Sequence, residues 1–195
     1  MKKGNYVTSL FLVLVLIINF SGLRLIAAQN SYSYVSVTPV QQLQTKWCWA
    51  ACAEMAGKSK YPSSTRNQIH VVNHLYGTFE NPYPNTGGYP DDMANGSTYV
   101  AYNTATFSYS YSTRTFSQIT SSIVQGNPVI IDLGHYNFLG MRNRGHAIIV
   151  YGVYTGLNIV ALVDPLDGEV YTCGFSNLQN GTYMTDYVYD HTIYI

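Results

Sequence analysis

From Val129 to the C-terminus the chain is a near-continuous series of apolar, β-branched and aromatic segments separated by short turns, and such a series can be buried only as a sheet. VIIDL, HAIIVYGVY, NIVALVD and GEVYTC follow one another, with turns at Gly156 and at the tetrapeptide PLDG. FSNLQN then makes a turn or a short helix, and YVYDHTIYI supplies the last strand. Connections this short join antiparallel neighbours, since a parallel crossover needs a dozen residues or more.

The first half reads differently. CWAACAEM, Cys48 to Met55, is built from good helix formers and is expected to stop at Gly57. A second helix is expected behind Ser64 or Thr65 as cap and ahead of Gly77, with Ile69, Val72 and Leu75 or Tyr76 at helical spacing. TFENPYPNTGGYPDD has the prolines and glycines of a long surface loop, and a short helix is expected over Asp91–Tyr102. Phe107–Tyr111 alternates like a strand, Phe116–Val124 is an amphipathic helix running into VIIDL, and Tyr32–Val40 is an extended arm. Helices first and an antiparallel sheet afterwards define an α+β domain whose two halves face each other across a cleft.

The N-terminus, MKKGNYVTSLFLVLVLIINFSGLRLIAAQN, has a basic start, a short apolar core from Leu10 to Phe20 and a small-residue exit at Ala27 and Ala28. This is the pattern of a secretory signal peptide over residues 1–28, because the apolar run is shorter than the ~20 residues that span a bilayer. The remainder, 29–195, has the size of one domain and is expected outside the cytoplasm, with no membrane association after cleavage. Ten Lys and Arg balance ten Asp and Glu, and only 10% of residues are charged, so no electrostatic argument favours nucleic acid or anionic lipid as a partner.

Three cysteines are an odd number. On a regular helix Cys48 and Cys52 are a poor disulfide pair: their Cα atoms lie about 6 Å apart, but the side chains run parallel. In an oxidising compartment the pairing that spares a reactive thiol joins Cys52 to Cys173; otherwise all three stay reduced. Cys48 is the unpaired cysteine in either case. It also stands at the first turn of its helix, where the N–H dipoles lower a thiol's pKa.

A thiolate nucleophile needs a base, a group to orient that base and donors for an oxyanion. Of five histidines, His146 lies in RNRGHAIIVYGVY at the start of a strongly apolar strand, behind a glycine loop. The next strand ends at Asp164, so a tight antiparallel pair can set the carboxylate beside the imidazole. His135, in GHYNFLG, has no such carboxylate behind it and is a candidate for lining the cleft. His70 and His74 have i, i+4 spacing, but HVVNH lacks the glutamate of HExxH and no third ligand is evident, so no metal is expected. His191 reads as structural. Gln42, six positions before Cys48, is placed to join the Cys48 N–H as an oxyanion donor, and Gln41 and Gln44 are alternatives at this level.

The run Q42-L-Q-T-K-W-C48-W-A-A resembles the active-site stretch of papain-like cysteine proteases, where a glutamine precedes the nucleophile by the same interval and Trp then Ala follow it. WCWAAC is similar to the bacterial secreted group that includes staphopain-type and avirulence proteases. QGNPVIIDL, GHAIIVYGV and VALVDP resemble the strands of that group and of the bacteriocin-leader peptidases. The resemblance covers about half of the mature chain, in the order Gln, Cys, His, Asp. It implies Cys48 as nucleophile, His146 as general base and acid, Asp164 as orienting residue, Gln42 as oxyanion donor, no cofactor and a peptide or protein substrate. Asp164 stands where papain itself has Asn, as it does in the bacterial relatives. No long pro-segment separates leader from domain, which leaves a separate inhibitor protein as the expected partner that restrains activity. The alternatives are an amidase, transpeptidase or deamidase using the same residues, and a catalytically silent binding module on the same fold.

Overall fold

The computed structural model describes residues 31–77 and 83–195. The leader expected over 1–28 lies outside them. The architecture is α+β: N-terminal helices pack on a C-terminal antiparallel sheet, the topology of papain-like proteins.

Helix α1, Cys48–Lys60, is its pivot, with every residue from Trp49 to Gly57 buried. Alanines at 50, 51, 53 and 56 leave it no polar face, so it must be enclosed on all sides. Helices α2 (Gln68–Tyr76) and α3 (Pro90–Val100) pack against it, and the sheet closes the other side.

The sheet contains β1 (Tyr32–Tyr34), β2 (Ser108–Ser110), β3 (Val129–Tyr136), β4 (Arg142–Tyr154), β5 (Ile159–Asp164), β6 (Glu169–Gly174) and β7 (Tyr187–Tyr194). Its order is β2-β7-β3-β4-β5-β6, antiparallel throughout, and β1 pairs with the far end of β4. The register sets Ile130 opposite Ile149 and Ile131 opposite Ile148. Ile130, Ile149, Val163 and Ile193 face the α1 core with Trp49, Met55 and Val100. Ile131, Ile148, Val150 and Leu162 face a second core closed by α4 (Phe116–Val124) and α5 (Phe175–Gln179). Covering on both faces explains why β3, β4 and β5 read as unbroken apolar runs rather than as alternation.

Several boundaries differ from the sequence expectation. α1 does not stop at Gly57 but continues to Lys60. Gly57 is where α3 crosses: a Cβ there would collide with the Val100 side chain and lie 2.7 Å from the Ser97 carbonyl oxygen. α2 is capped by Asn67, whose side chain accepts from the Ile69 and His70 N–H groups, rather than by Ser64 or Thr65; it ends, as expected, at a left-handed Gly77. The third helix ends at Val100, and the strand expected over Phe107–Tyr111 is paired only from Ser108 to Ser110. β4 begins at Arg142, so His146 is its fifth residue and not its first.

The close helix crossing predicts an inverted propensity effect. In an open helix Gly→Ala stabilises by about 1 kcal/mol. Gly57→Ala is instead expected to destabilise by about 1–3 kcal/mol, the usual cost of overpacking, and a lowered urea-unfolding midpoint with an unchanged m-value checks it.

Candidate active site

The two tryptophans around Cys48 explain the WCW triplet locally. Trp47 Nε1 donates to the Pro84 carbonyl and Trp49 Nε1 to the Thr86 carbonyl, each at 3.0 Å. Gly88 clears the space that the Trp49 indole occupies, with a Cβ there falling 2.7 Å from Trp49 Cγ. The start of α1 is thus bolted to the 83–89 segment, and Cys48 between the two rings is held half-buried at the edge of a cleft. Trp47, the N-cap residue, makes no side-chain cap bond, and the first turn has no acidic residue. The positive end of the helix is therefore available to a negative charge at Cys48.

Cys52, one turn on, is fully buried in the α1 core, whereas Cys173 packs against the core on the opposite face of the sheet. Both are free thiols, and the sheet between them rules out the pairing considered from sequence. Burial pushes the Cys52 thiol well up and the Cys173 thiol up to about 11. Neither is a thiolate near neutral pH.

The opposite wall of the cleft is the end of the sheet. His146 stands three residues before Ile149 on β4 and Asp164 one residue after its partner Val163 on β5, so both lie at the same end of the paired strands. His146 Nε2 lies 2.8 Å from Asp164 Oδ1, and both residues are buried. His146 and Cys48 both line the cleft, and Cys48 is near enough to act on the imidazole. Burial alone would lower the pKa of His146; the hydrogen bonds to Asp164 and Cys48 and their charges outweigh it and hold it up to about 10. Burial would raise Asp164, but the His146 hydrogen bond and charge, the Leu166 N–H and the Tyr183 hydroxyl together hold its carboxyl below the usual range. The arrangement stabilises an imidazolium beside the Asp164 carboxylate.

Gln42 lines the same cleft. Its backbone N–H donates to the Pro165 carbonyl at 2.7 Å, fastening the loop before α1 to the residue after Asp164. One hydrogen of its Nε2 goes to the Gln44 carbonyl at 2.9 Å, which leaves the second, and its Oε1 is buried without a partner. Of the alternatives, Gln41 is exposed and reaches the Leu166 carbonyl, while Gln44 contributes its own carbonyl. Gln68, which sequence reasoning missed, is 1% exposed and clamps this loop, accepting from Leu43 N–H and donating to the Gln41 carbonyl.

The remaining histidines have other partners. His135 is paired with Asn143 Oδ1 at 2.6 Å and does not line the cleft. His70 completes the Asn67 capping box, and His74 stacks on Tyr99 at 3.9 Å. Among the described residues no group of three His, Cys, Asp or Glu side chains could hold a metal ion. His191 belongs to a charged cluster not foreseen from sequence, in which Asp132 takes Arg142 at 2.6 Å and His191 at 3.0 Å, and Asp190 lies 3.0 Å from Arg142. The cluster needs Gly134 and Gly145, paired across β3 and β4: a Cβ on Gly145 would lie 2.7 Å from Arg142 Nη2. That glycine pair is why β4 extends before His146, where the sequence suggested a loop.

The cleft between the walls has a volume of about 1010 Å³ and is bounded on the helical side by Trp49, Gly87, Gly88 and Tyr89 and on the sheet side by Arg142, His146 and Met184. Among the described residues no helix is long and apolar enough to cross a membrane.

The sequence profile of the Peptidase_C39 like family matches residues 34–188, and the chain belongs to that family, within the papain-like cysteine-protease superfamily. Among solved structures it is similar to the interpain A cysteine protease of Prevotella intermedia, with a TM-score of 0.56 and 15% identity over 86% of this chain and 94% of that one. It is also similar to xylellain, a cysteine protease from Xylella fastidiosa, with a TM-score of 0.50 and 10% identity over 86% and 87% of the two chains. A third similar structure is a double glycine motif protease from an AMS/PCAT transporter, solved with its leader peptide, with a TM-score of 0.48 and 10% identity over 83% and 91%. No curated protein matches the chain in sequence.

The pKa of His146 gives a direct prediction. A raised pKa means that the imidazolium persists below about pH 10 and is lost as pH rises through that value. Asp164→Asn keeps an acceptor for Nε2 but removes the anion, so the His146 midpoint is expected to fall by about one unit or more. A ¹⁵N NMR titration of histidine-labelled protein reads both midpoints.

Proposed function

We propose that this chain is a secreted cysteine peptidase, comprising a leader over 1–28 and a peptidase domain over 29–195, which hydrolyses peptide bonds through Cys48, His146 and Asp164 with Gln42 as oxyanion donor. The observation that supports this most is a single imidazole bonded to a buried carboxylate and sharing the wall of an open cleft with a helix-terminal cysteine that acts on it.

In the reaction Cys48, as the thiolate of an ion pair with His146, attacks the scissile carbonyl carbon and forms a C–S bond. The carbonyl oxygen takes the negative charge and faces the Cys48 N–H and the second hydrogen of Gln42 Nε2. The intermediate collapses, the C–N bond breaks, and His146 gives its proton to the leaving amine. Neutral His146 then removes a proton from water, whose oxygen attacks the thioester; the carboxylic acid leaves, and the thiolate–imidazolium pair is restored. Asp164 keeps its anionic form throughout and holds the ring in the tautomer that faces Cys48.

Cys48→Ala is expected to abolish turnover of an unfolded protein substrate, while Gln42→Ala retains the nucleophile and loses about 10²–10³-fold in kcat. Peptide mapping after substoichiometric iodoacetamide at mildly acidic pH is expected to place the label on Cys48 alone. Labelling of Cys52 or Cys173, or undiminished turnover by Cys48→Ala, overturns the proposal. Release of ammonia without chain cleavage would replace peptidase by deamidase.

A further inference from the structure

The carboxylate of Asp164 has two oxygens with different partners. Oδ1 takes His146 Nε2 at 2.8 Å and the Leu166 N–H at 2.9 Å, while Oδ2 takes the Tyr183 hydroxyl at 3.1 Å. The third donor comes from a part of the chain far from the other catalytic elements, the connection between α5 and β7.

That connection is built to hold one position. Phe175 and Leu178 of α5 are buried in the second core. From there the Asn177 carbonyl accepts the N–H groups of both Thr182 and Tyr183 at 3.0 Å, and Asn180 Oδ1 accepts from the Thr182 N–H and hydroxyl. Gly181, at φ +75°, makes the reversal between them. An isolated bridge between Met184 and Tyr187 closes the other side. The half-buried phenol is thereby delivered to Asp164 by a fixed backbone and not by a swinging loop.

We infer that Tyr183 is a positioning residue of the site: its hydroxyl fixes the plane of the Asp164 carboxylate, so that Oδ1 stays aimed at His146. This rests on the proposed roles of Cys48, His146 and Asp164. Two carboxylate oxygens with donors at different bearings cannot rotate about χ2 without losing one of them, whereas Oδ1 with its two donors leaves the plane less constrained. The titratable groups around the pair include Cys48 and Cys52 of α1, Asp132 of β3, His146 of β4, Tyr171, Cys173 and Glu169 of β6, and Asp167 in the turn before it. None of the β6 or α1 groups donates to Oδ2. Burial and the adjacent anion push the Tyr183 phenol far above its usual range, so it remains a donor wherever the site is charged.

The sign of the effect follows. The hydroxyl favours the anionic form of Asp164, so removing it lets the carboxyl take a proton at higher pH. With Asp164 neutral the imidazolium loses its support, and the Cys48 thiolate becomes scarcer on the acid side. The experiment is the pH dependence of Cys48 alkylation by iodoacetamide in the wild type, Tyr183→Phe, Asp164→Asn and the double variant, with folding read by near-UV circular dichroism. Tyr183→Phe is expected to move the acid limb up by about one pH unit and to lower kcat with KM little changed. In the Asp164→Asn background the same substitution is expected to move nothing further. Incorporation of 3-fluorotyrosine at position 183, which keeps the ring and makes the hydroxyl a stronger donor, is expected to move the limb down, so the inference is testable even where Phe does not fold.

An acid limb unmoved in folded Tyr183→Phe, an equal shift in the Asp164→Asn background, or an upward shift with fluorotyrosine overturns the role of Tyr183 while leaving the catalytic triad standing. Failure of wild-type Cys48 to alkylate preferentially overturns both.

Discussion

A helix without a polar face cannot lie at a surface, and α1 is such a helix. Its buried run from Trp49 to Gly57 obliges α2 and α3 to cover it on one side and the sheet on the other. The first helical residue, Cys48, is then fixed where the helix emerges, at the mouth between the two halves. Gly57 and Gly96 at the helix crossings and Gly88 against Trp49 are places where the enclosure leaves no room even for a methyl group. The position of the Cys48 sulfur is therefore a by-product of packing, set before any polar contact of the site is made.

The polar contacts then join the halves at the cleft. The Gln42 N–H to Pro165 carbonyl bond and the Gln68 clamp hold the loop before α1 against the end of β5. The Gln42 side of the cleft and the Asp164 side are consequently one rigid seam. A displacement that moved Gln42 away from Cys48 would also pull on the residue next to Asp164. Breaking a buried charged pair by removing one partner costs about 3–5 kcal/mol, which is the scale on which the His146–Asp164 contact constrains this seam. Asp132, buried beside the cleft, is balanced in a similar way by Arg142 and His191, so the wall carries charge without an unpaired ion.

Much of this was legible in the sequence because it rests on local rules. The apolar runs of β3, β4 and β5, the amphipathic α4 and the glycine stop of α2 are each written in a few consecutive residues. Cys48, His146, Asp164 and Gln42 could be singled out because each sits at an element's end or in a short motif with a chemical reason. What was not legible depends on contacts between distant segments. Gly57 looks like a helix stop until α3 crosses it, and the stretch before His146 looks like a loop until Gly134 pairs with Gly145 and admits the Arg142 side chain. Gln68 and Tyr183 belong to no motif at all: their roles exist only because a loop and a turn pass the cleft.

The three cysteines show how the fold sorts one residue type into different chemistries. Cys48 and Cys52 are a single turn apart on the same helix, yet one faces an imidazole and the other is enclosed by apolar side chains that raise its pKa. Cys173 has an identical side chain and less burial, but no cation beside it, and burial is the one influence on its thiol. The helix dipole falls off within the first turn and so favours Cys48 over Cys52, but it brings no imidazole to the sulfur. Selection comes from the sheet, which offers one buried imidazole and aims it at the one sulfur that the packing of α1 leaves at the surface.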